Sequence, residues 1–205
     1  MSDSLLDIIK RSFGENSLFG LDEIVVPKSF SGSVSKEMAK LVEDGAVGKY
    51  AYGLYFLQSK KPNLSPSFAD AVQISYISNS QNVYGFYGDE SYLDFLLKKK
   101  PSNNVVVYSN KATSGKKKIF RFGQRITVKK PYCKITKENA TLNGFLSYLT
   151  FASMNDIERG YSLLADYIRE EHFAAQDVLD LLASFPSKTA NKLLRSGLYK
   201  CLWKH

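Results

Sequence analysis

The stretch from Phe30 to Leu57 constrains the fold more than any other, because a helical pattern runs without interruption into two strand patterns and a reversal. Val34, Met38, Leu41 and Val42 recur at i, i+4, i+7 and i+8, the spacing of one buried helix face. Ser33, Lys36, Glu37 and Lys40 then share the opposite, exposed face. Gly45 supplies the left-handed residue that ends such a helix. Glu43 and Asp44, poor partners for the negative end of a helix dipole, mark the last turn as solvated. From Ala46 to Tyr50 and from Gly53 to Gln58 the residues favour a pleated surface, and Gly53 marks the turn between the two strands.

Two segments upstream complete the parts. Leu5, Ile8, Ile9 and Phe13 fall at helical spacing over residues 3 to 13, with Gly14 as a stop. Leu21 to Val26 forms a second short segment halted by Pro27. With the helix from Ser33 and its hairpin, these make the three-helix-plus-hairpin set of a winged helix over residues 1 to 60. A helix of this length can enter the major groove, and an adjacent hairpin can reach a phosphate strand or the minor groove. The plainer reading of the same pattern is a helix-hairpin unit packed inside a larger fold. Residues 60 to 66 are polar, contain two prolines and read as a linker.

The net charge of +8 suggests an acidic partner, and its distribution says more than its size. Residues 1 to 64 carry 8 basic and 8 acidic side chains, and residues 137 to 205 also carry 8 and 8. Residues 65 to 136 carry 12 basic against 4 acidic, so the whole excess lies in the middle. The helix-hairpin unit is neutral on balance.

A second domain is expected over residues 65 to 205. Ser67 to Ile77 is compatible with a helix, and Asp89 or Ser91 could cap another through Leu97, whose closing lysines complement the helix dipole. From Asn104 the period changes to two. Val105 to Tyr108 reads as a buried strand, and Lys118 to Phe122 with Arg125 to Lys129 as a hairpin across Gly123-Gln124, closed by Pro131. After Thr136 the pattern is helical. Leu142 to Leu149, Ile157 to Ile168 and Val178 to Phe185 give three apolar stripes, and a last helix starts at Pro186-Ser187. The expected fold class is therefore α+β, an N-terminal winged helix followed by a mixed domain with a basic hairpin and C-terminal helices.

Motifs for enzyme chemistry are missing. Asn110 to Lys117 has a faint phosphate-loop look, but Asn110 stands where the pattern needs glycine and Lys117 where it needs serine or threonine. His172 and His205 lack carboxylate or cysteine neighbours at ligand spacing, and Cys133 and Cys201 are far apart in sequence. No catalytic residue, metal or cofactor is expected. No apolar run reaches the roughly 18 residues of a membrane span, and Lys10 and Arg11 follow the first apolar segment rather than precede it, so a cytoplasmic protein without membrane contact is expected.

Cations cluster around the second hairpin: Lys111, Lys116, Lys117, Lys118, Arg121, Arg125, Lys129, Lys130 and Lys134. Residues two apart share a strand face, which groups Arg125, Thr127 and Lys129. Such a face would attract a phosphate backbone without reading sequence. The alternative is a solvated edge whose lysines repel other strands. Tyr84, Phe86 and Tyr87 alternate with glycines and could stack on bases, but core packing suits them better.

The order of these parts resembles the AbiEi-type antitoxin family over roughly residues 20 to 150. Leu41 and Gly45 match its Leu-x-x-x-Gly helix end, and Gly53 and Tyr55 its Gly-x-Tyr hairpin. NVYGFYGDESYLDFL resembles a glycine and an aromatic leading a helix. Asn110, Thr113, Gly123, Lys130 and Pro131 match its strand, Asn-x-x-Thr loop, basic hairpin and proline, with Ile135 and Asn139 ahead of the first C-terminal helix. The family often carries Arg or Lys just before the wing glycine, where this chain has Tyr52.

The resemblance implies an antitoxin of a type IV toxin-antitoxin, abortive-infection and phage-defence system. Its winged helix would repress the operon's own promoter at inverted repeats, and its C-terminal region would counter a nucleotidyltransferase-like toxin without a stable complex. The expected DNA-binding residues are Ser33, Ser35, Lys36 and Lys40 on the reading helix, Lys28 and Ser31 near its start, and Lys49, Tyr50 and Tyr52 at the wing. Lys116, Lys117, Lys118, Arg121, Arg125, Lys129 and Lys130 form a second expected contact surface, for nucleic acid or a partner. The rival readings are a mobile-element transcriptional regulator without a toxin, and an RNA-binding or protein-interaction module acting through the basic hairpin.

Overall fold

A computed structural model describes residues 3–58, 66–99 and 104–202. The chain is a mixed α+β protein that divides into two compact units, Met1–Gln81 and Asn82–His205. The expected linker over 60 to 66 falls, except for Pro66, outside the described residues. The division comes after it, so residues 67 to 81, expected in the second domain, belong to the first unit.

In the first unit the order is helix α1 (Leu5–Ser12), strand β1 (Leu18–Gly20), a 3₁₀ turn (Leu21–Glu23), helix α2 (Val34–Glu43), and strands β2 (Val47–Ala51) and β3 (Leu54–Leu57). Helix α3 (Phe68–Val72) follows and runs on into a π turn (Gln73–Ile77). Ser4 caps α1, accepting from the Asp7 amide at 3.2 Å. Ser67 caps α3 in the same way, and the Asp70 carboxylate reaches back to the Ser67 amide at 2.8 Å, a reciprocal capping box.

The helix expected over Leu21 to Val26 does not form. Leu18, Phe19 and Gly20 instead pair antiparallel with Phe56, Tyr55 and Leu54, so the hairpin gains a third strand in the order β1-β3-β2. Phe19 is fully buried and stacks on Phe13 with ring centroids 4.4 Å apart, a gain a short surface helix would forgo. Leu5, Ile9, Met38 and Val47 close the core over these rings.

Glu23 at the end of the 3₁₀ turn is buried. Its carboxylate accepts from the Gly20 amide at 2.8 Å and from the Ser80 amide and hydroxyl at 3.1 and 2.9 Å. A charge removed from water is tolerated only with such donors. This clasp joins residues 57 positions apart and helps bring the segment after the π turn into the first unit.

The second unit opens with strand β4 (Gly85–Tyr87), helix α4 (Glu90–Leu96) and strands β5 (Asn104–Ser109), β6 (Lys116–Arg121) and β7 (Gln124–Lys129). The sheet order is β4-β5-β7-β6, with β5 and β7 parallel and the other pairs antiparallel. Six helices follow: α5 (Ala140–Phe151), α6 (Met154–Arg159), α7 (Tyr161–Glu170), α8 (Ala175–Leu182), α9 (Ser187–Arg195) and α10 (Tyr199–Leu202). The stripe expected from Ile157 to Ile168 is thus two helices that meet at Gly160. The expected last helix is likewise broken at Gly197, whose φ of 78° lies in the left-handed region.

Helix α5 is the centre of this unit. Every residue from Leu142 to Thr150 is buried. Tyr84 and Phe86 are buried as well, so these aromatics are core rather than a stacking surface, while Tyr87 stacks on Phe95 at 5.8 Å.

Candidate nucleic-acid interface

The first candidate surface is built on α2. Its apolar side holds Met38 fully in the core, with Val34, Leu41 and Val42 packed around it. That fixes the outward residues as Ser35, Lys36, Ala39, Lys40 and Glu43, all exposed. Glu37, expected outside with them, is half-buried. Lys40 lies 3.6 Å from its carboxylate, an exposed pair of little energetic weight. Ser33 is the N-cap residue, yet its side chain makes no capping bond. Lys28 and Ser31, on the turn leading into the helix, are exposed.

The end of α2 sets where the hairpin starts. The Gly45 amide donates to the Val42 carbonyl at 3.2 Å and the Ala46 amide to the Leu41 carbonyl at 3.0 Å. This pair of bonds requires a left-handed residue, which Gly45 provides at φ 71°. The chain then enters β2 directly. Lys49 is exposed opposite Tyr55, and a register shift falls at Tyr50, which is half-buried. Burial raises the Tyr50 phenol above its ordinary range, helped by the nearby Asp70 carboxylate. Tyr52 at the tip is 88% exposed, the most open large apolar side chain described.

The second surface is the hairpin of the other unit, and here the expected cluster separates. The turn is Phe122-Gly123, one residue earlier than expected, with both at positive φ, 54° and 76°. That is the twist a two-residue hairpin needs. Strand register then sorts the cations. Lys116 lies opposite Lys129, Lys118 opposite Thr127, and Arg125 alongside Asn104 of β5, so these share one face. Lys117 and Arg121 point to the other, and Arg121 sits over the Phe122 ring at 4.8 Å. Lys111 is over the Tyr84 ring at 3.7 Å. Lys130 remains exposed beyond the strand end.

Lys129 leaves the expected surface altogether. Its ammonium pairs with the Asp89 carboxylate, and the two side chains are only 19% and 5% exposed. Asp89 also accepts from the Tyr108 hydroxyl at 3.1 Å. Burial, together with that neighbouring carboxylate, holds the Tyr108 phenol well above its ordinary range. Asp89 begins α4 at φ 50°, but its side chain makes no capping bond. Ser91 does not cap either, since its hydroxyl accepts from the Val106 amide at 3.0 Å. A lone aspartate before a helix reads as a cap in sequence, and only the register of β5 and β7 reveals that its partners lie 19 and 40 residues away.

No family model, curated protein or solved structure matches this chain. The site therefore rests on its own chemistry. Among the described residues no group of histidine, cysteine, aspartate and glutamate is arranged to hold a metal. No described helix is long and apolar enough to cross a membrane.

Sequence reasoning missed two features of these surfaces. The Glu23 clasp has no local signal beyond a carboxylate set in an apolar run. Gln124, taken as part of the hairpin turn, begins β7 instead, and its buried Oε1 finds no hydrogen-bond partner among the described residues.

Proposed function

We propose that the first unit is a winged-helix DNA reader and that the chain acts as an antitoxin and autorepressor. The element order of helix, strand, short turn, helix and two strands, with the first strand added beside the third, supports the first part. The observation that carries it is the outward face of α2. Ser35, Lys36 and Lys40 are solvent-facing on a helix of 10 residues, held by a tight glycine junction to a hairpin whose tip presents Lys49 and Tyr52. Short polar and cationic side chains on such a face suit base edges and phosphates of the major groove. Lys28 and Ser31 would bind phosphate ahead of the helix, and Tyr50, half-buried at the bulge, would position the wing rather than touch DNA.

The antitoxin role rests on the family resemblance, with the partner a nucleotidyltransferase-like toxin encoded beside it. The promoter is the direct test. In a gel shift with the chain's own upstream duplex, K36A/K40A should lose at least about tenfold in affinity, and its melting temperature should stay within about 2 °C of wild type, as for exposed substitutions. Unchanged affinity in that variant overturns the assignment.

A further inference from the structure

The hairpin of the second unit plays no part in that reading. Between Asp94 and Glu138 the chain carries 13 lysines and arginines and no carboxylate side chain. β6 is the outer strand of its sheet, and lysines at 116, 117 and 118 are what an edge strand carries to repel other strands. That explanation ends at β6, because Arg125 lies on β7, an inner strand already paired on both sides. Nor does it call for Lys116 directly opposite Lys129, an arrangement of like charges that weakens a sheet.

Register places Lys116, Lys118, Arg125, Asn104 and Thr127 on one face of three neighbouring strands. Thr127 is buried beside Lys118, and the other four are exposed. Two residues of strand rise, about 6.7 Å, separate Lys116 from Lys118 along β6, and Arg125 stands on the next strand one step further toward the turn. The three cations therefore run in a row. None of them makes an ion pair among the described residues, in contrast to Lys129 on the same face. A cavity of about 790 Å³ opens beside Lys118 and Arg125, and Asn104, Lys118, Arg125 and Thr127 are its lining from this face. Gln124 belongs to the opposite face of β7 and takes no part.

We propose that this face binds the sugar-phosphate backbone of a single nucleic-acid strand without reading its sequence, with Lys116, Lys118 and Arg125 as the phosphate contacts. A row of unpaired cations is matched by a row of phosphates, and each contact releases the counterion that its phosphate held. Arginine takes a phosphate through its planar fork and lysine as a point charge. The major groove of a duplex admits a helix or a two-stranded ribbon, whereas this face is three strands wide and carries its charges flat on the sheet. A flexible strand can lie across such a surface. Among the described side chains the face exposes no aromatic ring, so the contact is with phosphates and not with bases. RNA and DNA strands present this same backbone chemistry. The inference does not depend on the first unit's binding duplex DNA.

The test uses the full chain with labelled oligouridine and oligothymidine of about a dozen nucleotides, and a duplex of the same length unrelated to the promoter, all followed by fluorescence anisotropy. K116A/K118A/R125A should weaken both strands at least tenfold and flatten the salt dependence of their binding by about 2 in log–log slope, three phosphate contacts' worth. Its melting temperature should lie no more than about 2 °C below wild type, as for exposed substitutions. K188A/R195A/K200A, which removes three exposed cations from α9 and α10, should bind within twofold of wild type, as should K116R/K118R, which keeps the charge. K36A/K40A should leave strand binding unchanged, which separates failure here from failure of the promoter reading. Binding of one strand and not the other supports the proposal and identifies RNA or DNA as the source. Failure of wild type to bind either strand overturns it, as does equal loss in the two triple-alanine variants. Tighter binding of the duplex, lost in K116A/K118A/R125A, overturns the assignment to a single strand. Displacement of the strand by polyglutamate of equal charge, as readily as by unlabelled strand, overturns it in favour of an acidic protein.

Discussion

Single residues decide which of the chain's many cations are available to a ligand. Strand period groups Lys129 with Arg125, and the two share a face of β7. The period could not show that Asp89 stands at the end of that face and takes the charge out of circulation. The pair is a commitment of the fold, because either partner alone would be a buried, uncompensated charge. Lys129→Met is therefore expected to destabilise the chain by about 3 to 5 kcal/mol in urea denaturation. The double variant D89N/K129M should recover much of that loss, since asparagine also tolerates the positive φ that Asp89 adopts. If K129M costs less than about 1 kcal/mol, the pair is not structural and Lys129 returns to the list of ligand contacts. Asn110 and Asn139 illustrate the same limit. Resemblance singles out both, and both tie backbone: Asn110 makes paired bonds of 2.7 and 3.0 Å with Ile135, and Asn139 bonds Thr136 and Lys134.

Elements with strong periodicity were legible, and those defined by distant partners were not. α1, α2, the first hairpin, β5 and α5 lie within a few residues of where apolar spacing put them. β1 did not announce itself, because three residues carry no period and its reason to be extended is β3, more than thirty residues on. The parallel pairing of β5 with β7 was invisible for a similar reason: nothing local says that β6 will pass outside β7. The α2 face of the candidate site was readable because helix period fixes orientation. The cavity beside β7 was not, because it exists only once three strands are aligned.

The junction of α4, α5 and α7 carries a pH consequence. Tyr92 stacks on Tyr148 at 5.3 Å and meets the edge of Tyr167 at 6.2 Å. Burial raises all three phenols. Tyr148 and Tyr167 are both pushed up to about 12, Tyr148 with some help from Asp156 and Tyr167 from Glu171. Unfolded tyrosine ionises near 10. The unfolded chain therefore loses its protons first, and the contribution of these residues is whole below about pH 10 and drains away between about 10 and 12. Tyr148→Phe should flatten the fall of melting temperature across that window. At neutral pH it should be neutral or mildly stabilising, since the Tyr148 hydroxyl is buried without a hydrogen-bond partner among the described residues. A steeper alkaline loss in the variant would contradict this account.

Across the whole molecule, charge and architecture divide in different ways. The cationic excess belongs to the second unit, six of its cations lying on β6 and β7, whereas the helix with the outward polar and cationic face belongs to the first, which carries 8 basic and 9 acidic side chains. Any duplex binding by the first unit is thus expected to rest on few phosphate contacts and to show a shallow salt dependence.

Helix α5 has a further consequence. Nine consecutive buried residues, enclosed by α4, α8, α9 and β4, leave it without a face on which solvent could loosen it one turn at a time. Its amide protons should accordingly be the last in the second unit to exchange with deuterium, at a rate that tracks the unit's global opening and changes in step with added urea.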